Sequence, residues 1–224
     1  VKQIFFITGT DTGVGKTVLT ALLAQFLRAR GVKVAALKPV CSGNRDDATL
    51  LYEALDGALT LDEINPWHFR AAIAPALAAK LEKKSVTRAQ VLAHIRATRK
   101  NFDVTLIEGA GGLLSPLGEN FDSRDLITDL RATPIIVAQN KLGAVNHILL
   151  TLAALPKNLR VKAKVVLMSP EKPDAAAKSN AKLLEQFLAP KKILALPWLG
   201  KKFELKAVLK NPRVRRTLTA LIST

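Results

Sequence analysis

The residues best suited to chemistry stand directly after short apolar runs. The first such segment is Gly9-Thr10-Asp11-Thr12-Gly13-Val14-Gly15-Lys16-Thr17. Its glycines let successive backbone N–H groups turn toward phosphate oxygens, with Lys16 in reach of the terminal phosphates and the Thr17 hydroxyl placed to ligate Mg²⁺. The strict spacing of a phosphate loop asks for glycine where Thr10 stands, and the glycine falls one residue earlier, at Gly9. Asp11 puts a negative charge inside the loop, either to meet a cationic substrate or to accept loop N–H groups.

Three more segments repeat the arrangement. Lys38-Pro39-Val40-Cys41-Ser42-Gly43 supplies a lysine that could stabilise charge on a transferring phosphoryl group. Cys41 reads as a small packed residue, and Asp46-Asp47 either offsets a helix dipole or lends Asp47 to a metal. Glu108-Gly109-Ala110-Gly111-Gly112 offers an acid of the kind that helps hold Mg²⁺, followed by glycines that allow close backbone approach to an anion. Lys141 to His147 (KLGAVNH) opens another helical pattern, whose free N–H groups suit a carboxylate.

These segments need strands to hold them. Ile4–Thr8, Val34–Leu37, Val104–Ile107, Ile135–Ala138, Val165–Met168 and Ile193–Leu196 are short, apolar and rich in β-branched residues, as strands buried on both faces are. Helical patterns fall between them at Thr17–Arg30, with Gly31 as its cap, and at Thr87–Arg99, Ser123–Arg131, Ala144–Leu155 and Ala175–Phe187. The alternation predicts an α/β fold of the P-loop NTPase type, a parallel sheet with helices on both faces and its ligands beyond the carboxyl ends of the strands.

The 224 residues, 49% of them hydrophobic, suit one domain over 1–224 with a sizeable core. A single cysteine excludes an internal disulfide, and no apolar run reaches the ~18 residues of a membrane span. A cytoplasmic protein without membrane association is the expectation. The net charge of +16 gathers after Leu150, at Lys157, Arg160, Lys162, Lys164, Lys191, Lys192, Lys201, Lys202, Arg213, Arg215 and Arg216. Without regular aromatic interleaving this reads as a solvated basic face rather than a nucleic-acid site.

Taken together, GTDTGVGKT, KPVCSG, Asp47, EGAGG, KLGAVNH and Pro197-Trp198-Leu199 resemble the dethiobiotin synthetase family, in the family's order and over nearly the whole chain. The resemblance implies a homodimeric enzyme that uses MgATP and CO₂ to close a ureido ring on 7,8-diaminononanoate. The implied route runs through a carbamate and a carbamic-phosphoric anhydride. Lys16, Lys38 and Thr12 would be catalytic, and Thr17, Asp47 and Glu108 would hold Mg²⁺. The nucleotide would lie against Gly13, Val14, Gly15, Lys16, Thr17 and Val18, with Glu108, Gly109, Ala110 and Gly111 beside it. Ser169, Pro197, Trp198, Leu199 and Glu204 would face its base side. Thr12 and Ser42 would line the diamine, and Gly143, Ala144, Val145 and Asn146 of the neighbouring subunit would receive its carboxylate.

The chain departs from the family pattern at three places. Gly13 stands where many relatives carry Glu, Ala74-Pro75-Ala76 replaces Ser-Pro-His, and Met168-Ser169-Pro170 replaces an Asn-containing segment beside the adenine. Two rival readings stand beside this one. One is a partition or septum-placement ATPase, against which Asp11 counts because that group carries a second lysine there. The other is a basic, nucleotide-dependent switch that binds nucleic acid.

Overall fold

A computed structural model describes residues 2–189 and 193–223. The basic residues Lys191 and Lys192 lie outside the described residues. The described residues form eight strands: β1 Gln3–Gly9, β2 Val34–Leu37, β3 Val40–Ser42, β4 Trp67–Phe69, β5 Val104–Gly112, β6 Thr133–Gln139, β7 Lys164–Met168 and β8 Ile193–Leu196. The helices are α1 Lys16–Arg28, α2 Asp46–Leu55, α3 Leu61–Ile64, α4 Pro75–Leu81, α5 Arg88–Thr98 and α6 Ser123–Leu130. They continue with α7 Ala144–Ala153, α8 Lys157–Arg160, α9 Ala175–Leu184, α10 Leu205–Val208 and α11 Pro212–Ile222.

Six strands form one parallel sheet in the order β2-β5-β1-β6-β7-β8. The chain moves from β1 to one side and later, from β5, to the other, so right-handed crossovers put α1 and α6 on opposite faces. Helices thus cover both faces, and the central strands are dry on each. Phe6, Ile7, Leu37, Leu106, Ile107, Ile135 and Val166 are fully buried. The apolar runs that mark these strands in sequence are the cost-free solution for a strand that meets no water.

Register sets up the site. Leu37 pairs with Ile107, and Ile7 pairs with Glu108. Lys38 and Glu108, each one residue beyond that first pair, therefore leave the sheet side by side, next to the loop that follows β1. The reversal of strand order falls at this same edge, where open α/β sheets bind ligands.

Local chemistry fixes the helix ends. Gly31 (φ +79°) closes α1 in a Schellman turn, with Val32 N–H donating to the Leu27 carbonyl at 3.2 Å and Gly31 N–H to that of Arg28 at 2.9 Å. Thr87 with Gln90 and Asp122 with Asp125 form capping boxes at α5 and α6. The small β3–β4 sheet and α11 are absent from the sequence reading. Three-residue strands carry too little periodicity to register, whereas Asn211-Pro212 before α11 was a usable start signal, since Asn211 caps the helix and Pro212 occupies its first turn.

Candidate functional site

The loop after β1 turns on Gly13 (φ +70°) and Gly15 (φ +100°), and α1 begins directly behind Gly15. A side chain at Gly15 would be strained by that φ, and its Cβ would lie 2.9 Å from Met168 Cε. The first N–H groups of α1 are consequently open toward the loop interior, where the helix dipole favours an anion. Lys16, 5% exposed, folds back so that Nζ donates to the Asp11 carbonyl at 2.8 Å. Burial brings its pKa down to about 8, an effect Glu108 partly offsets and Lys38 reinforces. The Asp11 carboxylate accepts the Thr12 N–H at 2.7 Å, so in this structure it caps its own loop.

Lys38 is as buried as Lys16, and its backbone is braced on both sides. Its N–H donates to the Ile64 carbonyl at 2.9 Å, and its own carbonyl accepts from Asn65 Nδ2 at 2.7 Å. Its ammonium donates to Glu108 Oε1 at 2.6 Å and to Asp47. Burial opposes the charge on Lys38, but Glu108 and Asp47 outweigh it and raise the pKa above the ordinary lysine value. Burial likewise works against ionised Asp47, and Lys38 with the Thr17 hydroxyl overcomes it, so the Asp47 carboxyl titrates below its usual range. Thr17 Oγ1 donates to Glu108 Oε1 at 2.7 Å.

Glu108 Oε2 is buried and without a hydrogen-bond partner among the described residues. A carboxylate oxygen so placed wants a cation, and Thr17 and Asp47 add two oxygen donors beside it. This hard, all-oxygen set fits Mg²⁺ shared with phosphate and water.

One cavity of about 790 Å³ collects most of these groups. Thr12, Gly13, Gly15, Lys16, Thr17 and Val18 line its loop side, and Lys38, Ser42 and Asp47 face them. Ala110 and Gly111 close one end, while Ala72, Ile73, Ala74 and Pro75 make an apolar wall. Across the loop, a second cavity of about 500 Å³ is lined by Val14, Ser169, Pro197, Trp198 and Leu199 together with Gln139 and Phe203. Gly13, Gly15 and Val18 border both cavities.

Some residues singled out in the sequence lie elsewhere. Gly109 lines neither cavity; a Cβ there would meet Ser123 Oγ and Phe6, so its smallness serves packing. Glu204 is exposed at the start of α10. Gly143, Ala144, Val145 and Asn146 open α7 away from both cavities, Gly143 with φ +86° and Asn146 exposed. His147 is exposed on the same helix. Cys41, by contrast, borders the larger cavity but is buried, its thiol 3.4 Å from Asn65 Oδ1, and burial pushes its pKa up, as befits a packed residue.

Other residues of the site went unnoticed in the sequence. Ser115 lines the larger cavity and accepts the Gly112 N–H at 2.9 Å, holding the glycine turn after Glu108. Asn65 braces Lys38, and Gln139 Nε2 donates to the Gly13 carbonyl at 3.2 Å. Ser115-Pro116 and Asn65-Pro66 are turn dipeptides that could have marked the first two.

Comparison with known proteins bears on the same elements. The family model described as an AAA domain matches residues 3–202. ATP-dependent dethiobiotin synthetase BioD of Akkermansia muciniphila is 39% identical over 82% of this chain and 86% of its own. The enzyme of the same name from Bacillus subtilis (strain 168) is 35% identical over 92% of this chain and 90% of its own. The chain belongs to the dethiobiotin synthetase family. Among solved structures, a ParA bound to nonspecific DNA is similar with a TM-score of 0.58 at 15% identity, covering 99% of this chain and 98% of its own. A ParA-family ATPase from Chlorobium tepidum TLS gives a TM-score of 0.57 at 14% identity, with the same coverage. These two likenesses show the fold alone, which is that of the P-loop ATPases. No helix among the described residues of this family member is long and apolar enough to cross a membrane.

Proposed function

We propose that the protein is an ATP-dependent dethiobiotin synthetase acting in biotin biosynthesis, joining CO₂ to the two amines of 7,8-diaminononanoate. The observation that carries this reading is the convergence of Lys16, Lys38, Thr17 and Asp47 on one cavity, with Glu108 buried behind them and bonded to Thr17 and Lys38, in a chain with these relatives. ATP lies with its phosphates on the N–H groups of the loop and its base toward Ser169 and Pro197–Leu199. The diamine occupies the side of the larger cavity lined by Thr12 and Ser42.

One amine, as its free base, attacks CO₂ and loses a proton to form a carbamate. A carbamate oxygen attacks the γ-phosphorus and ADP leaves, giving a carbamic-phosphoric anhydride. The second amine attacks the carbamoyl carbon, phosphate departs, and the ureido ring closes. Lys16 and Lys38 present fixed positive charge to the carbamate and the γ-phosphate, which become most negative together as the phosphoryl group moves. Thr17, Asp47 and Glu108 hold Mg²⁺, which neutralises phosphate charge when bound. The apolar wall from Ala72 to Pro75 keeps water from the anhydride.

The carboxylate end of so extended a substrate lies several bonds from the reacting amines. Gly143 to Asn146 of a second subunit receive it in this reading, which makes the working enzyme a homodimer. A single turnover with C¹⁸O₂ tests the route: the carbamate pathway sends one ¹⁸O from CO₂ into the released phosphate. Phosphate free of ¹⁸O beside labelled dethiobiotin would exclude the anhydride.

A further inference from the structure

The geometry points to a second ligand site, at the far end of the sheet, for a small organic dianion. A cavity of about 500 Å³ opens where β1, β6 and β7 begin, its walls including Gln3, Thr133 and Lys164. At about 3.3 Å per strand residue it lies roughly 20 Å from the phosphate loop, on the opposite edge of the sheet. Five cations line it, Lys2, Arg99, Arg131, Lys162 and Lys164, and no acidic side chain among the described residues does. Its floor is apolar, made by Ile4, Phe5, Leu130 and Ile222.

Part of this charge has an ordinary explanation. Helices return antiparallel to the strands, so their negative C-terminal ends collect at this edge. Arg99 follows α5, Arg131 caps α6, and Lys164 Nζ donates to the Ala220 and Leu221 carbonyls at the end of α11, at 3.1 and 2.9 Å. Each helix end counts for about half a negative charge, so the two beside Arg99 and Arg131 offset roughly one of the three positive charges on Arg99, Arg131 and Lys162. Lys2 donates to the Lys100 carbonyl. Arg99, Arg131 and Lys162 make no side-chain hydrogen bond or ion pair among the described residues. The surplus is thus focused in a concavity with apolar walls, where field strength is greatest.

Two guanidinium groups and an ammonium call for a ligand carrying two negative charges, on one phosphate or on two carboxylates, since an arginine fork matches carboxylate or phosphate oxygens in pairs. The aliphatic floor calls for a hydrocarbon or ring body attached to them. The volume falls within the ~300–1,000 Å³ of small-molecule sites. A nucleic acid would want exposed stacking surfaces, and Phe5, the aromatic residue here, is only 4% exposed.

Calorimetric titration tests this on the full chain saturated with MgADP, with phenyl phosphate and octanedioate as probes for the phosphate and dicarboxylate forms of the ligand. At least one should bind once per chain, and the stronger of the two identifies the anionic group. Arg99→Ala with Arg131→Gly should weaken it at least about tenfold for each guanidinium lost, the scale of a charge-assisted hydrogen bond. Glycine suits Arg131's φ of +50°, so the melting temperature should hold. Lys162→Glu is an independent variant at an exposed position and should also weaken binding. Absence of saturable binding for both probes, or equal affinity in native and variant proteins, would overturn the site. So would a short DNA duplex that binds more tightly than either probe and is lost in the same variants, since the surface would then be one for nucleic acid.

Discussion

At the residue scale the site turns on two buried lysines in opposite electrostatic circumstances. Lys38 sits between Glu108 and Asp47 and stays charged, whereas burial brings Lys16 down to about 8. A bound triphosphate restores the charged form of Lys16, so nucleotide binding takes up a proton when the pH is above 8. The sign follows: affinity is greatest below that pKa and falls as pH rises through it, by up to about tenfold per unit. Calorimetry near pH 8.5 in buffers of different ionisation heat should show the uptake; a flat affinity from neutral pH to pH 9.5 would remove Lys16 from that role. Lys38→Ala should lower dethiobiotin formation by about 10²–10³. It should also lower stability by roughly 3–5 kcal/mol, because Glu108 is left charged and buried without its partner. Lys38→Met with Glu108→Gln should regain most of that stability and none of the turnover, which melting curves and product assays on the same samples would separate. Lys38 and Glu108 were legible because each stands directly after an apolar run. Asn65 and Gln139 were not, because each acts on backbone that only the fold brings near, as when Asn65 reaches the Lys38 carbonyl across 27 positions.

At the element scale, parallel register does the positioning. Pairing of Leu37 with Ile107 sends Lys38 and Glu108 out together, and Ile7 opposite Glu108 brings the loop after β1 to the same edge. All six sheet strands were visible as apolar runs because burial on both faces leaves no polar alternation to confuse them. The β3–β4 pair, only three residues per strand, is imposed by its surroundings and left no pattern. Gly15 carries the sharpest backbone requirement. Gly15→Ala should cost about 1–2 kcal/mol for its left-handed conformation. It should also weaken ATP binding, as the Cβ presses on Met168 and shifts the loop. Equilibrium dialysis with labelled ATP, alongside a denaturant melt, checks both; native affinity in a folded Gly15→Ala protein would mean that the loop is not held by this turn.

At the scale of the whole molecule, the proposed reaction carries a second proposal, that another subunit receives the carboxylate end of the substrate. Gly143 to Asn146 lie apart from both cavities of their own chain, and Leu142 and Leu150 on the same outer side are 83% and 61% exposed. If a second subunit completes the site, mixing inactive Lys38→Ala with an inactive Asn146 variant should restore up to about a quarter of native activity, the share of undamaged sites under random reassortment. No recovery after demonstrated subunit exchange would place the carboxylate within one chain. No described lysine or arginine after Leu150 lines either cavity beside the phosphate loop, and the sequence could not separate charge that caps helix ends from charge that faces a cavity. The central claim is that one cavity couples γ-phosphate transfer to capture of CO₂ by a diamine. Its most direct test is the rate of phosphate release from MgATP with 7,8-diaminononanoate alone, with bicarbonate alone and with both. The expected result is slow release with either alone and fast release with both, one phosphate for each dethiobiotin formed. Equal rates under all three conditions, with no dethiobiotin, would contradict it.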